Sequence, residues 1–131
     1  LRLFDNRLER AFDHPERIAA LRGVLRGDPS HRVRIVLHET ASLPEDCPRL
    51  LALQKQFSNA LLIHHTEGQG RRASDPLTLA DDAACMHRFH HEQPGASLTL
   101  DDPDAVRPLA LRFEEIWESS VPAVTGTGLG L

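Results

Sequence analysis

The stretch Arg32-Val33-Arg34-Ile35-Val36-Leu37-His38 decides the fold, because its β-branched residues suit a pleated, half-buried surface and predict a strand. Upstream, Asp13-His14-Pro15-Glu16 reads as a helix start, with Asp13 as the cap, Glu16 at the capping-box position and Pro15 in the first turn. Ile18, Leu21 and Leu25 follow at helical spacing, and Gly27 before Asp28-Pro29 is expected to close the helix in a left-handed conformation. Leu1, Leu3 and Phe4 begin an apolar segment that reads either as a first strand or as the end of a longer one. Downstream, Leu43 to Pro48 reads as a turn, and Leu50, Leu51, Leu53, Gln54 and Phe57 as a helical stripe ending before Asn59. Leu61 to Thr66 is a second strand, and Gly68 to Pro76 has loop composition. Leu77-Thr78-Leu79 and Ala84 to Phe89 flank Asp81-Asp82 as a hairpin, and Ser97 to Leu100 is one further strand. Asp101-Asp102-Pro103-Asp104 opens a last helix bearing Leu109, Phe113, Ile116 and Trp117, whose start Pro108 should delay or kink. This order predicts an α/β chain: one layered domain over residues 1–120, a mixed sheet with flanking helices, and a flexible Gly/Thr tail over 121–131.

The chain has 131 residues, 40% hydrophobic and 26% charged, enough apolar surface for one globular domain and no apolar run that would span a membrane. A formal charge of -4 counts against a general binder of nucleic acid or anionic membrane. Cys47 and Cys85 fit neither a disulfide framework nor a CxxC motif, and no charged and apolar leader precedes the first strand, so a reducing cytoplasmic setting is expected. Position 1 is Leu rather than Met, which suggests a trimmed chain with a neighbouring domain.

Transition metals need several imidazole, thiolate or carboxylate groups converging on one point. His64-His65 on one strand and His87, His90 and His91 at the hairpin could converge if their strands were adjacent, which makes His65, His87 and His91 the candidate ligands. Neighbours on a strand face opposite ways, however, and no HExxH or facial-triad spacing occurs, so neither metal nor cofactor is expected. No GxSxG elbow supports a nucleophilic serine; Cys85 reads as a small buried residue, while Cys47 before Pro48 would have a lowered pKa at a helix N-terminus. Gly68-x-Gly70-Arg71-Arg72 joins flexible backbone to two guanidinium groups, a combination that suits phosphate or carboxylate, although it lacks the Lys-Ser/Thr of a P-loop. Arg32 and Arg34 share a strand face, and with Arg71, Arg72 and Arg88 they give the one basic patch the pattern offers. Asp81-Asp82 and Asp101-Asp102 read as turn and cap residues, Glu114, Glu115 and Glu118 as a solvated helix face, and Trp117 as a core anchor.

From Asp75 onward, a hairpin followed by a late helix with Phe113-Glu114-Glu115-Ile116-Trp117 resembles the phospholipase D-like superfamily, and the strands Val33 to Leu37 and Leu61 to Thr66 around a helix resemble its layered α/β half. The family's HxKxxxxD motif is missing. Registered on Asp81, its histidine and lysine places hold Ser74 and Pro76; registered on Asp82, they hold Asp75 and Leu77; and Lys55, the sole lysine, follows Leu53 by two. The resemblance therefore implies the fold of a degenerate domain of bacterial type without phosphodiester chemistry, and a homodimer, since members act by joining two such motifs. The resulting expectation is a non-catalytic binding or interaction domain with a protein partner or itself, open to a phosphorylated ligand but not to nucleic acid. Its competitors are an enzyme, or a metal- or phosphate-ligand-binding domain, using the His64/His65/His87/His91 cluster or the Arg71-Arg72 loop on a phosphorylated small molecule or nucleic acid, and a purely structural dimerisation domain.

Overall fold

Val33, Ile35, Val36 and Leu37 are all buried because β2 (Val33–Leu37) lies inside a mixed sheet with apolar cover on both faces. The computed structural model describes residues 1–92 and 94–123. Among them the sheet has seven strands in the order β6-β5-β4-β1-β2-β3-β7. The others are β1 (Arg2–Asp5), β3 (Leu61–His65), β4 (Leu77–Ala80), β5 (Ala84–Arg88), β6 (Ala96–Thr99) and β7 (Val121–Pro122). β1, β2 and β3 are parallel neighbours, and the remaining pairings are antiparallel. Parallel neighbours require crossovers, here through α1 (Pro15–Gly27) and through α2 (Leu43–Asp46) with α3 (Pro48–Gln56).

The two sheet faces bury different residues because side chains alternate along a strand. Leu3, Val33, Ile35, Leu37, Leu61 and Ile63 pack with Ile18, Leu21 and Leu25 of α1 and with the leucines of α3. Phe4, Val36, Leu77, Leu79 and Cys85 point the other way, onto Val106, Phe113 and Ile116 of α4 (Pro103–Ser119). The result is a single α/β domain with helices on both sides of a mixed sheet, as the sequence order predicts.

Several local expectations change. Asp13 does not cap its own helix; His14 Nδ1 accepts the Glu16 N–H at 3.1 Å instead. The buried Asp13 carboxylate reaches α3, accepting the N–H groups of Arg49 at 3.0 Å and Leu50 at 2.8 Å. Thus one residue from the chain before α1 supplies the cap that α3 lacks from its own sequence. Gly27 lies inside α1 rather than beyond it, and the chain turns at Asp28, whose carboxylate accepts the Ser30 N–H at 2.7 Å. The expected turn at Leu43 contains the short helix α2, and Pro108 sits within α4 without delaying its start at Pro103. Val121 and Pro122, expected to begin a tail, pair with His65 and His64, while residues 124–131 of that segment lie outside the described residues.

Candidate functional site

Where parallel strands end, the chain turns away and leaves crevices, the usual place for ligands in α/β sheets. At this end His38 follows β2, Thr66 follows β3, and the 3-10 turn Gly68–Arg72 carries the two candidate arginines over the end of α4. His38 pins that turn. Its Nε2 lies 2.6 Å from the Ala73 carbonyl, which can only accept, so Nε2 carries the proton and Nδ1 accepts the Thr66 hydroxyl at 2.6 Å. Gly68 adopts a φ of 57°, a left-handed conformation open to glycine, and a Cβ on Gly70 would come within 3.2 Å of Ser119 Oγ. The glycines thus set the turn's shape and its close approach to α4.

Arg71 and Arg72 are exposed, and among the described residues neither has a hydrogen bond or ion pair. Arg72 borders an open cleft of about 220 Å³ with Gln69, Ala73, Arg112, Glu115 and Ile116. Arg112 is fixed there by a bidentate pair, its Nε and Nη2 donating to the Asp75 carboxylate at 2.9 and 2.5 Å. His87 Nε2 lies 2.8 Å from the same carboxylate. Burial alone would raise the Asp75 pKa, but the hydrogen bonds from Arg112 and His87 outweigh it and hold the group below its ordinary value.

The other predicted basic residues do not join this turn. Arg34 lies beneath α4, donating to Glu114 Oε1 at 2.9 Å and Oε2 at 2.5 Å, with its guanidinium 5.2 Å from both the Phe113 and Trp117 ring centres. Arg2, its cross-strand neighbour, reaches the same carboxylate at 3.3 Å. Glu114 is therefore the counter-ion of two sheet arginines rather than part of a solvated face, and those arginines hold its pKa down. Arg88 faces the opposite side of the sheet, where its Nη2 donates to the His91 carbonyl at 2.9 Å. The single patch expected from Arg34, Arg71, Arg72 and Arg88 is thus three separate places.

The histidines are dispersed as well. Strands β2, β1 and β4 separate His64 and His65 from His87, so four interstrand steps put roughly 19 Å between their strands. His65 Nδ1 is 3.5 Å from Glu67, His87 engages Asp75, and the backbone N–H of His91 donates to the Ser74 carbonyl at 2.8 Å. Among the described residues no three histidine, cysteine or acidic side chains converge on a metal position. His64 stacks on Trp117 with ring centres 3.8 Å apart and meets Ser120 Oγ at 2.8 Å. That hydroxyl spends its hydrogen on the Trp117 carbonyl at 2.5 Å, so it accepts from His64 and is not activated as a nucleophile.

Cys47 also departs from expectation: burial first, then the charges of Asp13 and Asp46, push its thiol up to about 11, away from a reactive thiolate. Cys85 is raised by burial in the same sense. Sequence reasoning missed His38, Asp75 and Arg112, which support the turn. Asp75-Pro76 at the loop's end was their only local trace, because the partners stand 12 and 37 residues further along.

Fold and site together define an α/β domain with an exposed arginine turn at the carboxyl ends of its parallel strands. The chain belongs to the DUF7931 family, a domain of unknown function, which it matches over residues 1–125. No curated protein matches it. A solved structure of TrmBL2, described as an archaeal chromatin protein with a novel mode of DNA binding, shares the fold with a TM-score of 0.56 and 15% sequence identity. The likeness covers 93% of this chain and 45% of that one, so this chain spans less than half the neighbour's length.

These findings correct two expectations. The family match is to DUF7931, and neither it nor the neighbour supports a phospholipase D-like assignment resting on Phe113 to Trp117 and the hairpin. The ranking of a protein partner or homodimer above nucleic acid also falls, because the neighbour sharing this fold is a DNA-binding protein. The formal charge of -4 sums over arginines paired within the fold, such as Arg2 and Arg34, together with exposed ones such as Arg71 and Arg72, so it does not rank the partners. No helix among the described residues is long and apolar enough to cross a membrane.

Proposed function

We propose that this domain is a non-catalytic nucleic-acid-binding module whose Arg71-Arg72 turn grips the phosphate backbone. The observation that carries the reading is the pair of adjacent, exposed guanidinium groups with no partner among the described residues, held on a turn pinned by His38 and Gly70. Arginine suits this task because its planar fork bonds phosphate oxygens in two places at once. Arg72 and Arg112 flank the neighbouring cleft, with Gln69 as a neutral donor and Glu115 as the opposing charge that keeps anions toward the arginine side. The DNA-binding description of TrmBL2 supports a polynucleotide as the source of the phosphate.

Backbone contacts of this kind position a protein without reading sequence. Fluorescence anisotropy with a labelled duplex and a labelled single strand tests the reading. Wild type binds at low salt, and the double variant Arg71→Ala/Arg72→Ala loses at least about tenfold in affinity, as expected when two charge-assisted contacts go. Equal binding by wild type and double variant, or capture of phosphorylated small molecules with no oligonucleotide binding, overturns it.

A further inference from the structure

On the opposite side of the sheet a second crevice carries both signs of charge beside an apolar trough. A cleft of about 300 Å³ lies between the segment Asn6 to Phe12 and the end of β5, lined by Asp5, Glu9, Arg88 and His91. It shares Asp5, Leu8, Phe12 and Arg88 with a largely apolar trough of about 370 Å³ that continues over Leu3, Leu21, Thr78 and Met86, with the Arg17 guanidinium 4.9 Å from the Phe12 ring centre. Volumes of this order, apolar in the body with a few polar groups at one end, suit small ligands.

Asp5 sits where the two spaces meet. Its Oδ1 accepts the Asn6 N–H at 2.6 Å, and among the described residues it has no ion pair. A half-buried carboxylate satisfied by one backbone N–H is costly to keep charged, and burial indeed raises its pKa while the nearby Arg88 and His91 charges oppose that rise. An incoming cation would complete it. A simple amine would nevertheless meet Arg88 and His91, with Arg17 at the trough and Arg7, itself paired with Asp46, at the cleft, and a simple carboxylate or fatty acid would meet Asp5 and Glu9. A zwitterion with an apolar substituent avoids both conflicts.

We propose that this crevice binds a free apolar α-amino acid, its ammonium on Asp5, its carboxylate toward Arg88 and His91, and its side chain in the trough against Leu8, Phe12 and Met86. The site is independent of the Arg71-Arg72 turn. It would make the domain a small-molecule receptor as well as a nucleic-acid module.

Isothermal titration of the full chain with L-leucine, L-phenylalanine, N-acetyl-L-leucine and L-leucinamide tests it. The two free amino acids give saturable heat, and blocking either charged group weakens binding at least about tenfold, the cost of a lost charge-assisted contact. Asp5→Asn removes the binding. Because Asp5 ends a central strand, Met86→Trp provides a second variant: Met86 is 46% exposed, so the larger side chain fills the trough without entering the core, and L-phenylalanine binding is lost. Absence of heat from both free amino acids at millimolar concentration, or equal binding of the blocked forms, overturns the proposal. The oligonucleotide titration reads a different set of residues, so either assignment can fail while the other stands.

Discussion

Arg2 and Arg34 lie under α4, whereas Arg71 and Arg72 stand on a turn at its far end, and the same side chain serves opposite ends in the two places. On the sheet, two arginines face each other across β1 and β2, an unfavourable pairing until Glu114 descends from α4 between them. Their charge is consumed in fastening the helix to the sheet. On the turn, the backbone does the fastening through His38 and Gly70, and the guanidinium groups are left over. A charge that the fold does not use is the better functional candidate, and sequence alone does not separate the two kinds.

Phe113 anchors α4 on the sheet as a fully buried ring whose face also supports Arg34. Phe113→Ala should cost about 3–5 kcal/mol in chemical denaturation, the usual range for a large aromatic deleted from a core. A loss below about 1 kcal/mol would mean that α4 is not anchored as described. His38→Ala should cost about 1–3 kcal/mol by leaving the Thr66 hydroxyl and the Ala73 carbonyl without their partner. It should also weaken oligonucleotide binding, although His38 touches no ligand, because the turn loses its pin.

Glu114→Gln sharpens the contrast through pH. The carboxylate is held below its ordinary value of 4.5 by its hydrogen bonds to Arg34, against burial. A depressed folded-state pKa stabilises the fold above the unfolded value, and that contribution disappears as pH falls through the folded value. Wild type should therefore exceed Glu114→Gln in stability at pH 7, with the gap closing in acid below pH 4.5. Because Glu114 is 42% exposed, solvent screening limits the gap to about 1 kcal/mol. The smallest stability effect belongs to Arg71→Ala/Arg72→Ala, within about 0.5 kcal/mol of wild type, since the fold does not lean on either side chain.

Periodicity and turn chemistry made much of the architecture legible. β2 and β3 announced themselves through Val33 to Leu37 and Leu61 to His65, α1 through Ile18, Leu21 and Leu25, and the hairpin through Asp81-Asp82, where Asp81 indeed takes a φ of 58°. Strand order was not legible, because nothing local says that β1 lies between β2 and β4. That order disperses the histidines, while the register carried across it, Arg34 opposite Arg2, Arg2 opposite Leu79 and Leu79 opposite Cys85, sets Arg34 on the Cys85 face and Arg88 on the other. The candidate turn was visible as Gly68 to Arg72, but its support was not: His38 and Ala73 are 35 residues apart, and Asp13 caps a helix 36 residues away. Such long-range contacts follow from packing, and a linear pattern carries no trace of them.

The salt dependence of duplex binding counts the phosphate contacts of Arg71 and Arg72, since each phosphate neutralised by an arginine releases bound counter-ions and adds about 0.9 to the slope of log affinity against log salt. Arg71→Ala/Arg72→Ala should lower the magnitude of that slope by roughly 2 while leaving the fold intact. An unchanged slope in a folded double variant would place the phosphate contacts elsewhere and contradict the proposed function.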